Sequence, residues 1–458
     1  MSAAPKNTAE YVWQPPQYAF NCAPTLQTTA SVTQADAGTS NFARTAKWCP
    51  DGSSLLIHCE NRTFELLPTP SFSAGPEHAD SPGTGTATPA LANPSIVLPQ
   101  PAPILDFAWY PGATAQSPAT HCFVASVREC PVKLLDANSG RLRASYKIVD
   151  HRERQIAPHS LAFNLSATRI YCGFEDAIEV FDVMVPGEGT RLPTTPSKKS
   201  KDGLKGIISA LAFCPSYGSD VFAAGTLSPH EGNIALFRES DGEVPLAFLG
   251  GGLRAGVTQL HFNPMQPHLL YAAYRRRPEI LCWDLRSGMT APLATFVDPS
   301  TPGPNTLTNQ KMRFDIDITG RWLGTGDQAG HLLVYDLAKA SGPTEPQHEV
   351  ETVEVEPACK VEAHGDAIGS VAFHPLQPII ATASGSRHFD VDEDSSDSDS
   401  DSSDEGADKD EEASSATIRR RIGRGKTVGA GPRTRDASIK FWDAGGSSTQ
   451  TNVDGGER

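Results

Sequence analysis

Ile280-Leu281-Cys282-Trp283-Asp284-Leu285-Arg286-Ser287-Gly288 is the stretch on which the reading of this chain turns. Apolar and aromatic residues run together, an acid closes the run, and Ser-Gly signals a turn. That is the pattern of a short buried β-strand. One such strand specifies nothing by itself. Its weight comes from recurrence, because the same local grammar returns along nearly the whole chain.

Each recurrence has three parts. A short apolar run with an aromatic near its centre ends in a Pro/Gly or Asp/Gly turn. An alternating run rich in Ala, Gly and Ser follows, and an aliphatic-aromatic-Asp-like segment closes the unit. The opening aromatics are Trp48, Trp109, Phe163, Phe213, Phe262, Phe314 and Phe373, and the closing segments lie at 64–67, 132–136, 178–182, 234–237, 280–284, 333–336 and 439–443. The aromatics are 49 to 61 residues apart, above the roughly 40–45 of a WD-type blade, which leaves room for enlarged loops. A four-stranded blade cannot bury both faces alone, whereas seven stacked about an axis bury them and expose only short edges. The expected fold is all-β, a seven-bladed WD-repeat β-propeller spanning 42–443.

Residues 1–41 read as a polar tail anchored by Trp13, Tyr18 and Phe20, one piece of which supplies a strand that closes the ring. Residues 68–103 are rich in Pro, Ser, Thr and Gly and read as a linker between the first two blades. Residues 386–436 interrupt the last blade with a Ser/Asp block followed by Arg419, Arg420, Arg421, Arg424, Lys426, Arg433 and Arg435. Such a segment cannot bury enough apolar surface to fold alone and is expected to be disordered, as is a C-terminal tail at 444–458.

The formal charge of −15 is local in origin: residues 390–412 hold thirteen Asp/Glu against one Lys, which leaves about −3 for the rest. Gly 39 and Pro 37 suit a fold of many turns. No run of about 18 apolar residues marks a membrane span, and the N-terminus lacks a signal-peptide core. Nine scattered cysteines with no CxxC pair suit a reduced, intracellular protein without a zinc site. Nucleophile elbow, P-loop and HExxH motifs are all missing, so neither catalysis, cofactor, metal nor small-molecule substrate is expected.

Beyond the generic repeat, several segments in order resemble the telomerase Cajal body protein family. They are Lys47-Trp48-Cys49-Pro50-Asp51-Gly52-Ser53, Ser139-Gly140-Arg141-Leu142-Arg143-Ala144-Ser145-Tyr146, and His159-Ser160-Leu161-Ala162-Phe163, with Tyr171-Cys172-Gly173-Phe174, the opening stretch, and Asn309-Gln310-Lys311. The resemblance implies a nuclear scaffold that binds box H/ACA small nuclear RNAs, telomerase RNA among them. It further implies ribonucleoprotein subunits as partners and Cajal bodies as destination. The long Ser/Asp-Arg insertion and the 68–103 segment depart from the family pattern.

In a WD propeller the loops entering first strands and those joining second to third strands share one face. That rule gathers Arg128, Arg152, Arg154, Lys198, Lys199, Lys201, Lys205, Arg254, Arg275, Arg276, Arg277, Lys311 and Arg387 on one side. Phosphate neutralisation supplies much of RNA affinity, and single-stranded bases stack on planar side chains, which singles out Tyr274 and His388 beside Arg275 and Arg387. His364, Asp436 and Trp442 read as a hydrogen-bonded brace within the last blade, and Trp283 and Asp284 as core and turn residues. Ser395, Ser396, Ser398, Ser400, Ser402 and Ser403 precede acids and are phosphorylation candidates. The cluster 419–426 reads as a nuclear localisation signal. Two other functions stay open: a cullin-ligase adaptor, because Trp283-Asp284-Leu285-Arg286 fits a WDxR pattern, and a spliceosomal small nuclear RNP factor. Distant strand pairing makes folding by a chaperonin an expectation too.

Overall fold

A computed structural model describes residues 14–34, 40–70, 96–197, 200, 202–242, 244–301, 308–340, 352–389 and 433–446. These form seven sheets, five antiparallel and two mixed, which are the blades of a propeller, with one short 3₁₀ turn at Leu337–Ala340. Blade 5 shows the plan: Val257–Phe262 lines the axis, followed outward by Leu269–Tyr274, Ile280–Asp284 and Ala294–Phe296. Blade 7 breaks chain order. Its inner strands are Ile368–Phe373, Ile379–Ser384 and Ser438–Asp443, but its outermost strand is Thr25–Ser31, paired antiparallel from Thr25↔Asp443 to Ser31↔Ser438. The segment before it is pinned as well. Tyr18 donates its hydroxyl to the carbonyl of His374 at 2.9 Å, and the Phe20 ring meets Trp322 edge-on at 4.7 Å.

The apolar core lies in the seams. Seven clusters of buried side chains each straddle two neighbouring blades, one joining blades 7 and 1 through Trp48, Ile57, Ala381 and Phe441. The Ala/Gly/Ser character of the second strands follows from this packing. A Cβ on Gly173, Gly225 or Gly326 would come within 2.7, 2.7 or 2.3 Å of Ile208, Val257 or Ile368, each on the next blade's inner strand. Blades approach that closely only where a side chain is absent.

Register differs from the sequence reading at one blade. The residue after each central aromatic hydrogen-bonds across to the start of the second strand, as in Asn263 N to Leu269 O (3.0 Å) and Asp317 N to Trp322 O (3.0 Å). Ile316, not Phe314, therefore holds the equivalent place in blade 6. A shift of two residues keeps the same face of a strand, so Phe314 is still buried. The linker assignment also needs correction at its end, because Ile96–Pro99 pairs with Thr63–Pro68 as the outer strand of blade 1. Alternation in four residues flanked by prolines is too brief to stand out. Two further strands escaped notice for the same reason: Gly187–Glu188 adds parallel to the outer strand of blade 2, and Val353–Val355 to that of blade 5.

The insertion 386–436 is likewise ordered at both ends. His388 and Arg433 exchange backbone hydrogen bonds at 2.8 and 2.9 Å, and Ser386 is buried with its hydroxyl on Asp366 at 2.6 Å. The remainder, with Ser395, Ser396, Ser398, Ser400, Ser402, Ser403 and 419–426, lies outside the described residues, as do Trp13 and the 447–458 part of the tail.

Candidate nucleic-acid interface

In blades 1, 2, 4, 5 and 7 the pairing of first with second strand slips by one residue near the start, leaving Arg44, Leu105, Ser209, Thr258 and Gly369 as bulges. A bulge re-aims its side chain. Arg44, Leu105 and Thr258 accordingly line a recess at one mouth of the axial channel, enclosing about 260 Å³. Blade 6 contributes differently. The backbone of Arg313 bonds to blade 7, its N–H to Gly369 O (3.0 Å) and its O to Val371 N (3.1 Å), which places this arginine in the wall. Arg275, from the turn between second and third strands of blade 5, and Lys311, from the loop entering blade 6, complete the recess.

Four cations against the single carboxylate of Asp106 set the electrostatics of this mouth. Burial, reinforced by Arg313, Arg44 and Arg275 and opposed by Asp106, brings the Lys311 ammonium down to about 8. Burial and the charge of Arg44 hold His58 neutral, with its pKa down to about 3. His159 is lowered by burial, Lys311 and Arg128. Asp106 moves the other way from what burial dictates: Lys47 and Arg313 keep it ionised, below its usual range. Asp106, which moves against burial, is the group that reports a positive potential here.

The expected residues divide by environment. Arg275 and Lys311 meet in the recess. Arg276 and Arg277 line a second, 100 Å³ recess that shares Lys311 with the first; Arg276 is exposed with φ of 56°, and Arg277 lies 3.5 Å from Glu279. Arg387 pairs with Glu60, which also holds Arg44 at 2.8 Å. Arg254 is exposed and tied to Glu231 at 2.9 Å. Arg154 is held by Asp150 at 2.7 Å. Lys198, Lys199 and Lys201 lie outside the described residues.

Of the two proposed stacking residues, Tyr274 requires correction. Tyr274 is 4% exposed because its position on the second strand of blade 5 points the ring into the seam with blade 4, so it offers no face to a base. His388 is fixed through Nε2 by Asp366 at 3.0 Å and Ser386 at 2.9 Å, as the latch that joins both ends of the insertion. Arg44 and Arg313 were missed. Each is a charge beside or within an apolar inner strand, and that misfit was the available signal.

Elsewhere the polar groups brace the fold. His364 Nε2 meets Thr382 Oγ1 at 2.7 Å, its Nδ1 meets Asp436 at 3.3 Å, and Trp442 Nε1 donates to the same Thr382 at 2.9 Å. Trp283 is fully buried and donates to Gly250 O at 2.9 Å, while Asp284 binds Arg286 at 2.8 Å. Among the described residues no group of three His, Cys, Asp or Glu is arranged to hold a metal ion, and no helix is long and apolar enough to cross a membrane.

Fold and site together define a WD-repeat propeller with a basic channel mouth. No family model matches the chain. Its sequence is similar to Telomerase Cajal body protein 1 of Bos taurus, 32% identical over 353 residues, covering 76% of this chain and 58% of that protein. The Homo sapiens protein of the same name is 32% identical over 352 residues, with the same 76% and 58% coverage. Over the propeller this chain is thus similar in sequence to the telomerase Cajal body proteins. The chain spans less than two thirds of the length of these relatives. It is also similar to the Guanine nucleotide-binding protein negative regulator 1 of Schizosaccharomyces pombe, 27% identical over 293 residues, 62% of this chain and 68% of that protein.

Proposed function

We propose that the protein is a non-catalytic scaffold that binds small nuclear RNA of box H/ACA type, telomerase RNA included. In this role it promotes ribonucleoprotein assembly in the nucleus, delivery to Cajal bodies or their equivalent, and telomerase-dependent telomere maintenance. The observation that carries the reading is the crowding of Arg44, Arg275, Lys311 and Arg313 against one carboxylate at a channel mouth, in a propeller whose relatives bear the names above. A face of that sign attracts a polyphosphate strand, and the two adjoining recesses suit a single-stranded segment better than a duplex.

Crosslinking immunoprecipitation of the tagged protein, followed by sequencing of the bound RNA, tests it. Enrichment of box H/ACA or telomerase RNA loops supports the reading, and spliceosomal RNAs in their place would move the scaffold to pre-mRNA splicing. The charge reversal Arg275→Glu with Arg276→Glu and Arg277→Glu is expected to weaken RNA binding at least ten-fold and to flatten its dependence on salt. Unchanged affinity and slope would remove this face from the interface.

A protein adaptor is the second reading, favoured by the likeness to the fission-yeast regulator. The WDxR match supports it less, since Arg286 is engaged by Asp284 within its own blade. Copurifying protein subunits without RNA above background would decide for it.

A further inference from the structure

The cations of the channel mouth are not equally satisfied. Arg44 has Glu60. Arg275 and Lys311 make no ion pair with any described residue. Arg313 donates Nη1 to Thr258 O at 2.7 Å, but its Nε is enclosed without an acceptor. A buried N–H left unmet is rare in folded proteins and destabilising, and a buried guanidinium facing like charges is more so. The recess is polar and holds about 260 Å³, roughly nine waters' worth, so an oxyanion of several atoms fits.

We infer that this mouth is a phosphate pocket, in which Arg275, Lys311 and Arg313 receive one phosphate or diphosphate group while Arg44 draws it in from the rim. Three net positive charges exceed what a monocarboxylate neutralises, and guanidinium forks match phosphate oxygens in pairs. The group has two possible sources, a backbone phosphate of a bound RNA strand or a free polyphosphate. The inference goes beyond the RNA reading, because a phosphate compound alone reports on it.

Affinity is expected to weaken as pH rises through about 8, where Lys311 discharges. Of the groups facing it besides Arg275, Arg44 and Arg313 stay charged, Asp106 stays ionised, and His58 and His159 are already neutral.

The test titrates pyrophosphate into the full chain by calorimetry and thermal melting, against sodium chloride of matched ionic strength. Saturable binding with a raised melting temperature is expected. Lys311→Met, which keeps the aliphatic stem, is expected to lose ten-fold or more in affinity, and Arg275→Gln to do likewise should the first variant fold poorly. Arg286→Gln, on another face, serves as control. Pyrophosphate acting no better than sodium chloride, or equal affinity in wild type and both variants, overturns the pocket. Once pyrophosphate binds, displacement of labelled box H/ACA RNA assigns the pocket to an RNA phosphate. RNA that stays bound, or never bound, assigns it to a free polyphosphate.

Discussion

Thr382 has no solvent exposure and one hydroxyl with which to satisfy two rings. A single proton arrangement serves every group. Trp442 donates to Thr382, Thr382 donates to His364 Nε2, and His364 Nδ1–H donates to Asp436, whose other oxygen takes the Ser438 hydroxyl at 2.6 Å. His364 is then neutral, in keeping with a pKa lowered by burial. Thr382→Val preserves shape but strands an indole N–H and an imidazole nitrogen, so a loss of about 2–4 kcal/mol is expected from urea midpoints. A loss below about 0.5 kcal/mol would show that these bonds brace nothing.

Asp315 carries the clearest pH signal. Burial lifts its carboxyl to about 7, with Asp317 adding to the lift, against N–H bonds from Phe373 and Ile316 and the charge of Lys47. His261 lies 3.9 Å away and is held neutral by burial. The folded protein therefore keeps a proton that the unfolded chain releases near pH 4. Stability from this group falls as pH rises from about 4 to 7 and is level above. Melting temperatures of wild type and Asp315→Asn, compared between pH 5 and 7.5, are expected to converge at low pH relative to high, with the variant gaining as pH rises. Parallel curves would contradict the assignment. At this scale the sequence disclosed charges in loops, such as Arg275 and Lys311, because a loop charge has no competing explanation in packing. It concealed Arg44, whose direction depends on a bulge, and misplaced Tyr274, because strand parity near a bulge decides whether a ring faces solvent or seam.

The second strands record how closely blades are pressed. At Gly225 a Cβ would lie 2.7 Å from Val257 and 3.3 Å from Leu260. At an ordinary strand position, replacing Gly by Ala stabilises through the unfolded chain. Here overpacking dominates, and Gly225→Ala is expected to cost about 1–3 kcal/mol, part of it restored by Val257→Ala in the same chain. A stabilised Gly225→Ala would refute the close approach. First and third strands were readable because an apolar run with an aromatic recurs seven times and a terminal aromatic-acid pair closes four of the third strands. Outer strands, often two to four residues long, were not, because their pairing is set by the neighbouring strand rather than by a pattern of their own.

Across the whole molecule, seven seams share the core, so no blade is stable alone and the ring stands or falls as a unit. The propeller was legible at this scale because its repeat is long-range and redundant. The recess at its mouth was not, since six blades bring residues to it and no local segment describes it.

The blade 7 sheet carries a consequence in time. Ser31 leaves the ribosome 407 residues ahead of its partner Ser438. At about 5–20 residues per second, some 20–80 s of synthesis separate the two. Throughout that interval one strand of the sheet exists and the edge that receives it does not. The strand of that sheet made first is thus the last to find its place.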